Sequence, residues 1–120
     1  MNDIRQKKLE SALVREMALT IQKRKAKADG IGLVSVTRVE LRPDLSEAIF
    51  FVSPFGSDEE NRDTMQALRR LAGQFQSQIS RDLHLRSTPH FIFRIDTSIK
   101  EGDRILDLID KASKEKTPPE

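Results

Sequence analysis

Between about Ile4 and Lys27, the residues Leu9, Leu13, Met17 and Ile21 recur every four positions, with Ala12, Val14 and Ala18 widening the stripe. That period is one face of a long amphipathic helix. Asn2 or Asp3 offers a side-chain cap at its start. Asp29-Gly30 offers an end, because glycine takes the left-handed conformation that many helix termini need. From Leu33 the period changes to two. Val34 and Val36 point one way, and Val39 and Leu41 continue out of phase. One extra residue near Thr37-Arg38, a β-bulge, restores the buried face. Arg42-Pro43-Asp44-Leu45 carries turn chemistry. From Glu47 to Ser53, Ala48, Phe50 and Val52 alternate with Ile49 and Phe51. The two runs predict an antiparallel hairpin whose second strand is central or well covered, since both of its sides are apolar.

Pro54-Phe55-Gly56 ends that strand, and Ser57-Asp58-Glu59-Glu60 follows as a capping box in which Ser57 and Glu60 satisfy each other's backbone donors. The helix it opens places Met65, Leu68, Leu71 with Ala72, Phe75, Ile79 and Leu83 at spacings of three and four. Gly73 lies near the middle, where glycine costs about 1 kcal/mol relative to alanine. A packing or geometric reason is expected for it, and a kink is expected there. Leu85 to Pro89 reads as extended, because the residue before proline is pushed out of helix. Phe91, Phe93 and Ile95 then alternate with Ile92, Arg94 and Asp96 as a third strand. Ser98-Ile99-Lys100-Glu101 resembles a second capping box, leading to a short helix with Ile105, Leu108 and Ile109 on one face. The order is α-β-β-α-β-α, without internal repeat or long linker, so residues 1–112 are expected to form one domain and 113–120 a flexible tail.

A chain of 120 residues suffices for one unstapled core, and 37% hydrophobic with 33% charged residues fits a soluble globular domain. There is no cysteine, which excludes disulfides and thiolate metal sites. The N-terminus lacks a secretion signal's apolar stretch, and no run reaches the roughly eighteen apolar residues of a membrane span. A cytoplasmic location is expected. The net charge of +2 is unevenly distributed. Residues 1–28 hold eight Lys/Arg against three Asp/Glu, and 29–61 hold two against seven. Residues 62–94 hold six against two, and 95–120 hold five against seven. A fold that gathered the two basic blocks on one face would have a footprint for a polyanion. Charges merely solvated around the surface fit the composition equally well.

Lys23-Arg24-Lys25-x-Lys27 is the densest basic run. It fits phosphate contact with counterion release, and it equally fits the preference of cations for a helix C-terminus. Arg69, Arg70, Arg81 and Arg86 flank or follow the glycine of the second long helix. If Gly73 opens that helix, exposed amides and these guanidiniums would hold a phosphate-rich strand, as KH folds do at their inter-helix loop; otherwise they are a solvated face. The chain has no Tyr or Trp, and most of its six Phe fall at core-periodic positions. Recognition by shape and backbone is therefore expected over base stacking. His84 and His90 lack a third ligand, so no metal site is expected. No nucleophile elbow or Gly-rich phosphate loop occurs, and the chain reads as a non-enzyme without cofactor.

Several residues carry a resemblance to the ribosome-binding factor A family. They are the basic first helix followed by Gly32 and a strand; Val39-Glu40-Leu41 leading to Asp44-Leu45, Ala48 and Phe51-Val52-Ser53; Ala67-Leu68 ahead of Gly73; and Leu85-Arg86-x-x-Pro89-x-Phe91-x-Phe93 with Asp96 and Gly102. Together they span nearly all of residues 4–110. The resemblance implies an α+β, type-II KH-like domain, with helices on one face of a three-stranded mixed sheet and an Ala-x-Gly interruption in place of the KH loop. The tripeptide here is Leu71-Ala72-Gly73, with leucine at the alanine position, and Gln76 and Gln78 stand where more basic or apolar residues are expected. It also implies a monomeric, non-catalytic assembly factor that binds 16S rRNA on free small (30S) subunits, acts in late pre-rRNA processing at the 16S 5′ end, and is linked to growth in the cold. The RNA-contacting set would be Lys23, Arg24, Lys25, Lys27, Arg69, Arg70, Gly73, Arg81 and Arg86. Two rivals remain: a KH-like module with a non-ribosomal RNA target, and an α+β domain that binds a protein or small ligand.

Overall fold

The computed structural model describes residues 3–25 and 30–97. Its first element, helix α1, spans Asp3–Lys25. Leu13, Met17 and Ile21 are buried on the expected stripe, with Leu9 and Val14 packed beside them. Ala18 corrects the expectation: it is exposed, because it sits about 100° around the helix from Met17. Thr20 is buried in its place, three residues from Met17 and seven from Leu13.

Gly30 has a φ of +87°, the left-handed conformation expected at that position. Strand β1 (Val34–Leu41) and strand β2 (Glu47–Pro54) form the antiparallel hairpin. The register passes from Val36↔Val52 to Arg38↔Phe51, so Thr37 is the extra residue of the expected bulge. Beyond it Val39 and Leu41 turn inward and are buried. Thr37 Oγ1 donates to the buried carboxylate of Asp96 at 2.5 Å and lies 3.1 Å from the Phe51 carbonyl, which fixes the bulge from the end of the third strand.

The capping box at Ser57 and Glu60 is formed in both directions and opens helix α2, Asp58–Asp82. Strand β3, His90–Ile95, then pairs in parallel with β2. The sheet order is β1-β2-β3, which makes β2 the central strand as its two apolar sides predicted. Ala48, Phe50, Val52, Phe91 and Phe93 face the helices and pack with Leu13, Met17, Leu68, Phe75 and Ile79 in one cluster. Phe50 anchors it, with ring centroids 4.9 Å from Phe91 and 5.6 Å from Phe93. On the other face of the sheet, the Arg38 guanidinium lies 3.9 Å above the Phe51 ring. The expected last helix and the 113–120 tail fall outside the described residues.

The interruption expected at Leu71-Ala72-Gly73 does not divide α2, which runs as α-helix through all three residues. Leu71 and Phe75 are both buried. They belong to one stripe with Leu68 and Ile79, so parting the helix at Gly73 would withdraw one side of that stripe from the core. Nor does Gly73 have the expected packing reason: a Cβ placed there meets nothing within 4 Å.

Candidate nucleic-acid interface

The helices decide which cations can act together. Arg24, in the last described turn of α1, is half-buried and donates from Nη2 to Gln74 Oε1 at 3.1 Å. Gln74 immediately follows Gly73, so the end of the first basic block is fastened to the glycine neighbourhood of α2. Lys23 beside it is exposed. The Lys25 backbone belongs to α1, while Lys27 lies outside the described residues.

Along α2, Arg70, Gly73, Gln74, Ser77 and Arg81 are all exposed. Steps of three or four, with Gly73 and Gln74 side by side at the centre, place them on one side of the helix. From Arg70 to Arg81 that line covers about 16 Å. It has an arginine at each end, bare backbone and a small serine between, and Arg24 arriving from α1 near its centre. Gln74 is the residue that sequence reasoning overlooked; its one signal was adjacency to Gly73.

Arg69 is positioned differently. Its Nη2 donates to the Phe93 carbonyl at 3.2 Å, so it leans over β3 and away from the Arg24 contact. Gln76 completes this attachment, with Oε1 accepting from the Phe91 N–H at 3.2 Å. The two side chains satisfy backbone groups on the outer edge of β3, which would otherwise be open to pairing with another chain. That is a physical reason for glutamine at position 76. The opposite edge is guarded likewise: Gln6 donates to the Leu41 carbonyl at 2.8 Å, and Glu10 accepts from the Leu41 N–H at 2.9 Å. Arg81 occupies the last turn of α2 and Arg86 the loop after it, both exposed.

The surface therefore offers guanidinium and ammonium donors and, at Gly73, one helical position without side-chain cover. Among the described residues no group of three His, Asp or Glu could hold a metal ion. No helix among them is long and apolar enough to cross a membrane. Arranged this way, the cations suit the phosphates of a nucleic acid; stacked bases would need exposed aromatic faces, and four of the six phenylalanines are buried.

Nearly the whole length of the chain is similar to proteins of one family. The family model described as ribosome-binding factor A matches residues 5–109. The ribosome-binding factor A of Microcystis aeruginosa is 36% identical over 118 residues, covering 98% of this chain and 92% of that one. The crystal structure of ribosome-binding factor A from Thermus thermophilus superposes with a TM-score of 0.64 at 26% identity, covering 75% of this chain and 94% of that one. A Thermus thermophilus ribosome-binding factor A homology model, fitted into a cryo-EM map of a 30S complex, shares the fold with a TM-score of 0.55 at 22% identity, covering 78% of this chain and 92% of that one.

Proposed function

The chain belongs to the ribosome-binding factor A family, and from that premise we propose that it binds 16S rRNA on the free 30S subunit and assists the last steps of the subunit's maturation, including processing at the 16S 5′ end. The observation that carries this reading is the Arg24–Gln74 hydrogen bond. It draws the basic end of α1 and the exposed Arg70-to-Arg81 line of α2 onto one surface. The α-β-β-α-β order, with β3 parallel to β2, supports a type-II KH-like arrangement in which this surface replaces the usual inter-helix loop. The protein acts as a monomer in the cytoplasm, by occupancy. It holds immature rRNA in one conformer and leaves when that conformer no longer binds it better than the alternatives, which needs a difference in binding energy and no reactive group.

In this reading Lys23, Arg24, Arg70 and Arg81 of this surface contact phosphate, the neighbouring basic residues Lys25 and Lys27 in the sequence add to them, and Gly73 allows the strand to approach the helix. Arg86 extends the footprint past the end of α2. Arg69, exposed and with one donor on the Phe93 carbonyl, adds its charge and remaining donors to the β3 side of the footprint. The test is the salt dependence of binding to purified 30S subunits. Neutralising Lys23, Arg24 and Lys25 together lowers affinity and reduces the slope of log K against log salt by about 0.7 to 0.9 for each phosphate that the protein no longer neutralises. An unchanged slope would remove phosphate contact from this end of α1. Equal co-sedimentation with polysomal RNA would instead favour a non-ribosomal target.

A further inference from the structure

At the other end of α2 the molecule has a cleft of opposite character. It is lined by Gly30, Ile31, Gly32, Leu33, Phe55 and Gly56 on one side and by Glu60, Asn61, Asp63 and Thr64 of α2 on the other. Leu33 and Phe55 are 62% and 58% exposed, although each is a large apolar side chain. The Phe55 N–H donates to the Leu33 carbonyl at 2.9 Å, so the two are backbone neighbours at the mouth. Isolated exposed apolar residues are ordinary, but two placed together at a concave site mark a binding surface.

The cleft is built closely. A Cβ at Gly56 would lie 2.6 Å from Glu60 Oε1 and 3.0 Å from Glu60 Cβ. At Gly32 it would lie 3.1 Å from Thr64 Oγ1, the atom that accepts the Gly32 N–H. A side chain at either position would therefore push against Glu60 or Thr64 of α2.

Its polar groups specify the sign of a partner. The N–H groups of Gly32, Gly56, Ser57 and Glu60 donate to Thr64, Asn61, Glu60 and Ser57 respectively. These donors are thus already engaged and closed to an anion. The ionisable residues lining the cleft are Glu60 and Asp63, and Asp58 and Glu59 adjoin them in the first turn of α2. Arg62, on the same helix, does not line it. A nucleic acid would meet carboxylates here, whereas a cationic protein segment meets acceptors and an apolar seat.

We propose that this cleft docks a protein partner through a lysine- or arginine-rich segment carrying one apolar or aromatic anchor, which inserts between Leu33 and Phe55 while its cations face Asp63, Glu59 and Asp58. This does not depend on the RNA reading, because it uses the end of α2 remote from Arg24 and Gln74.

The test titrates the isotope-labelled full chain with a short synthetic peptide of lysines around a central phenylalanine, alongside its glutamate counterpart and a single-stranded RNA oligonucleotide. The lysine peptide shifts the backbone resonances of Gly30, Gly32, Leu33 and Gly56. The double variant Leu33→Ser/Phe55→Ser, altered only at exposed side chains, weakens it about tenfold or more, as loss of a central anchor does. Asp63→Asn weakens it about two- to fivefold and flattens its salt dependence, and neither variant alters binding to 30S subunits through the opposite end of α2. Unchanged peptide affinity in the double variant overturns the proposal. So does a stronger response of the same resonances to the RNA or to the glutamate peptide, and so does a wild-type dimer that the double variant abolishes.

Discussion

The two ends of α2 have been finished by opposite means, and the contrast separates what folds the helix from what it presents. At the N-terminal end a serine, a glutamate and an asparagine satisfy the backbone donors, and the first turn carries Asp58, Glu59 and Glu60. From Gly73 onward the helix presents bare backbone, serine and arginine to solvent, and it closes without a side-chain cap. The acidic end complements the positive pole of the helix dipole and the arginine near the other end complements the negative pole. The charges that complement the dipole therefore leave α2 acidic in its first turn and with an arginine in its last.

The sharpest way to break the contrast is to remove what both halves share. Phe75 is 1% exposed and stacks edge-on against Phe93 at 6.2 Å. Phe75→Ala should cost about 3 to 5 kcal/mol, the usual loss for a buried aromatic truncated to alanine. Urea denaturation followed by circular dichroism measures it. A loss below about 1 kcal/mol would mean that the half beyond Gly73 packs independently of the sheet.

Next in size is the cap itself. Ser57→Ala deletes the hydroxyl that accepts the Glu60 N–H at 3.1 Å and should destabilise by about 1 kcal/mol. Arg81→Ala, at the uncapped end, should stay within about 0.5 kcal/mol, as surface substitutions usually do. Equal losses from the two would erase the distinction between the ends.

Gly73→Ala sharpens the comparison from the middle. With open space at its Cβ position and helical backbone around it, alanine should stabilise by about 1 kcal/mol. A methyl group there also stands between α2 and an approaching phosphate, so affinity for 30S subunits should fall while stability rises. Higher stability with unchanged affinity would show that the RNA does not use the bare backbone at 73.

How far these features were legible beforehand follows from the range of the interactions. Periods of four and two placed both helices and three strands, and the odd step from Val36 to Val39 located the bulge, because burial imprints itself on residues a few positions apart. Thr20 escaped because a polar residue can occupy an apolar stripe when its neighbours cover it. Gln6, Glu10, Arg69 and Gln76 meet strand edges far along the chain, with Gln6 reaching Leu41 across 35 positions. Arg24 meets Gln74 across 50. No local pattern encodes such meetings. The candidate surface was legible as two basic stretches, but which arginines share it was decided by tertiary contacts, and these turn Arg69 toward the sheet.

A small effect of opposite sign to that of Ser57→Ala is expected where α2 ends. The Leu85 N–H donates to the Ser80 carbonyl at 2.9 Å and the His84 N–H to the Arg81 carbonyl at 3.1 Å, the two bonds of a Schellman closure with His84 at the left-handed position. Its φ of +54° is one that an L side chain holds at a cost of roughly 1 to 2 kcal/mol. Glycine would relieve that cost but loses more freedom on folding, about 0.5 to 1 kcal/mol. His84→Gly should therefore stabilise by only about 0.5 to 1 kcal/mol, read as a higher urea midpoint. The exposed imidazole contributes nothing to the core that would offset this gain. A lower midpoint would show that His84 is held in place by its side chain, and that this end of α2, too, is closed by more than its backbone.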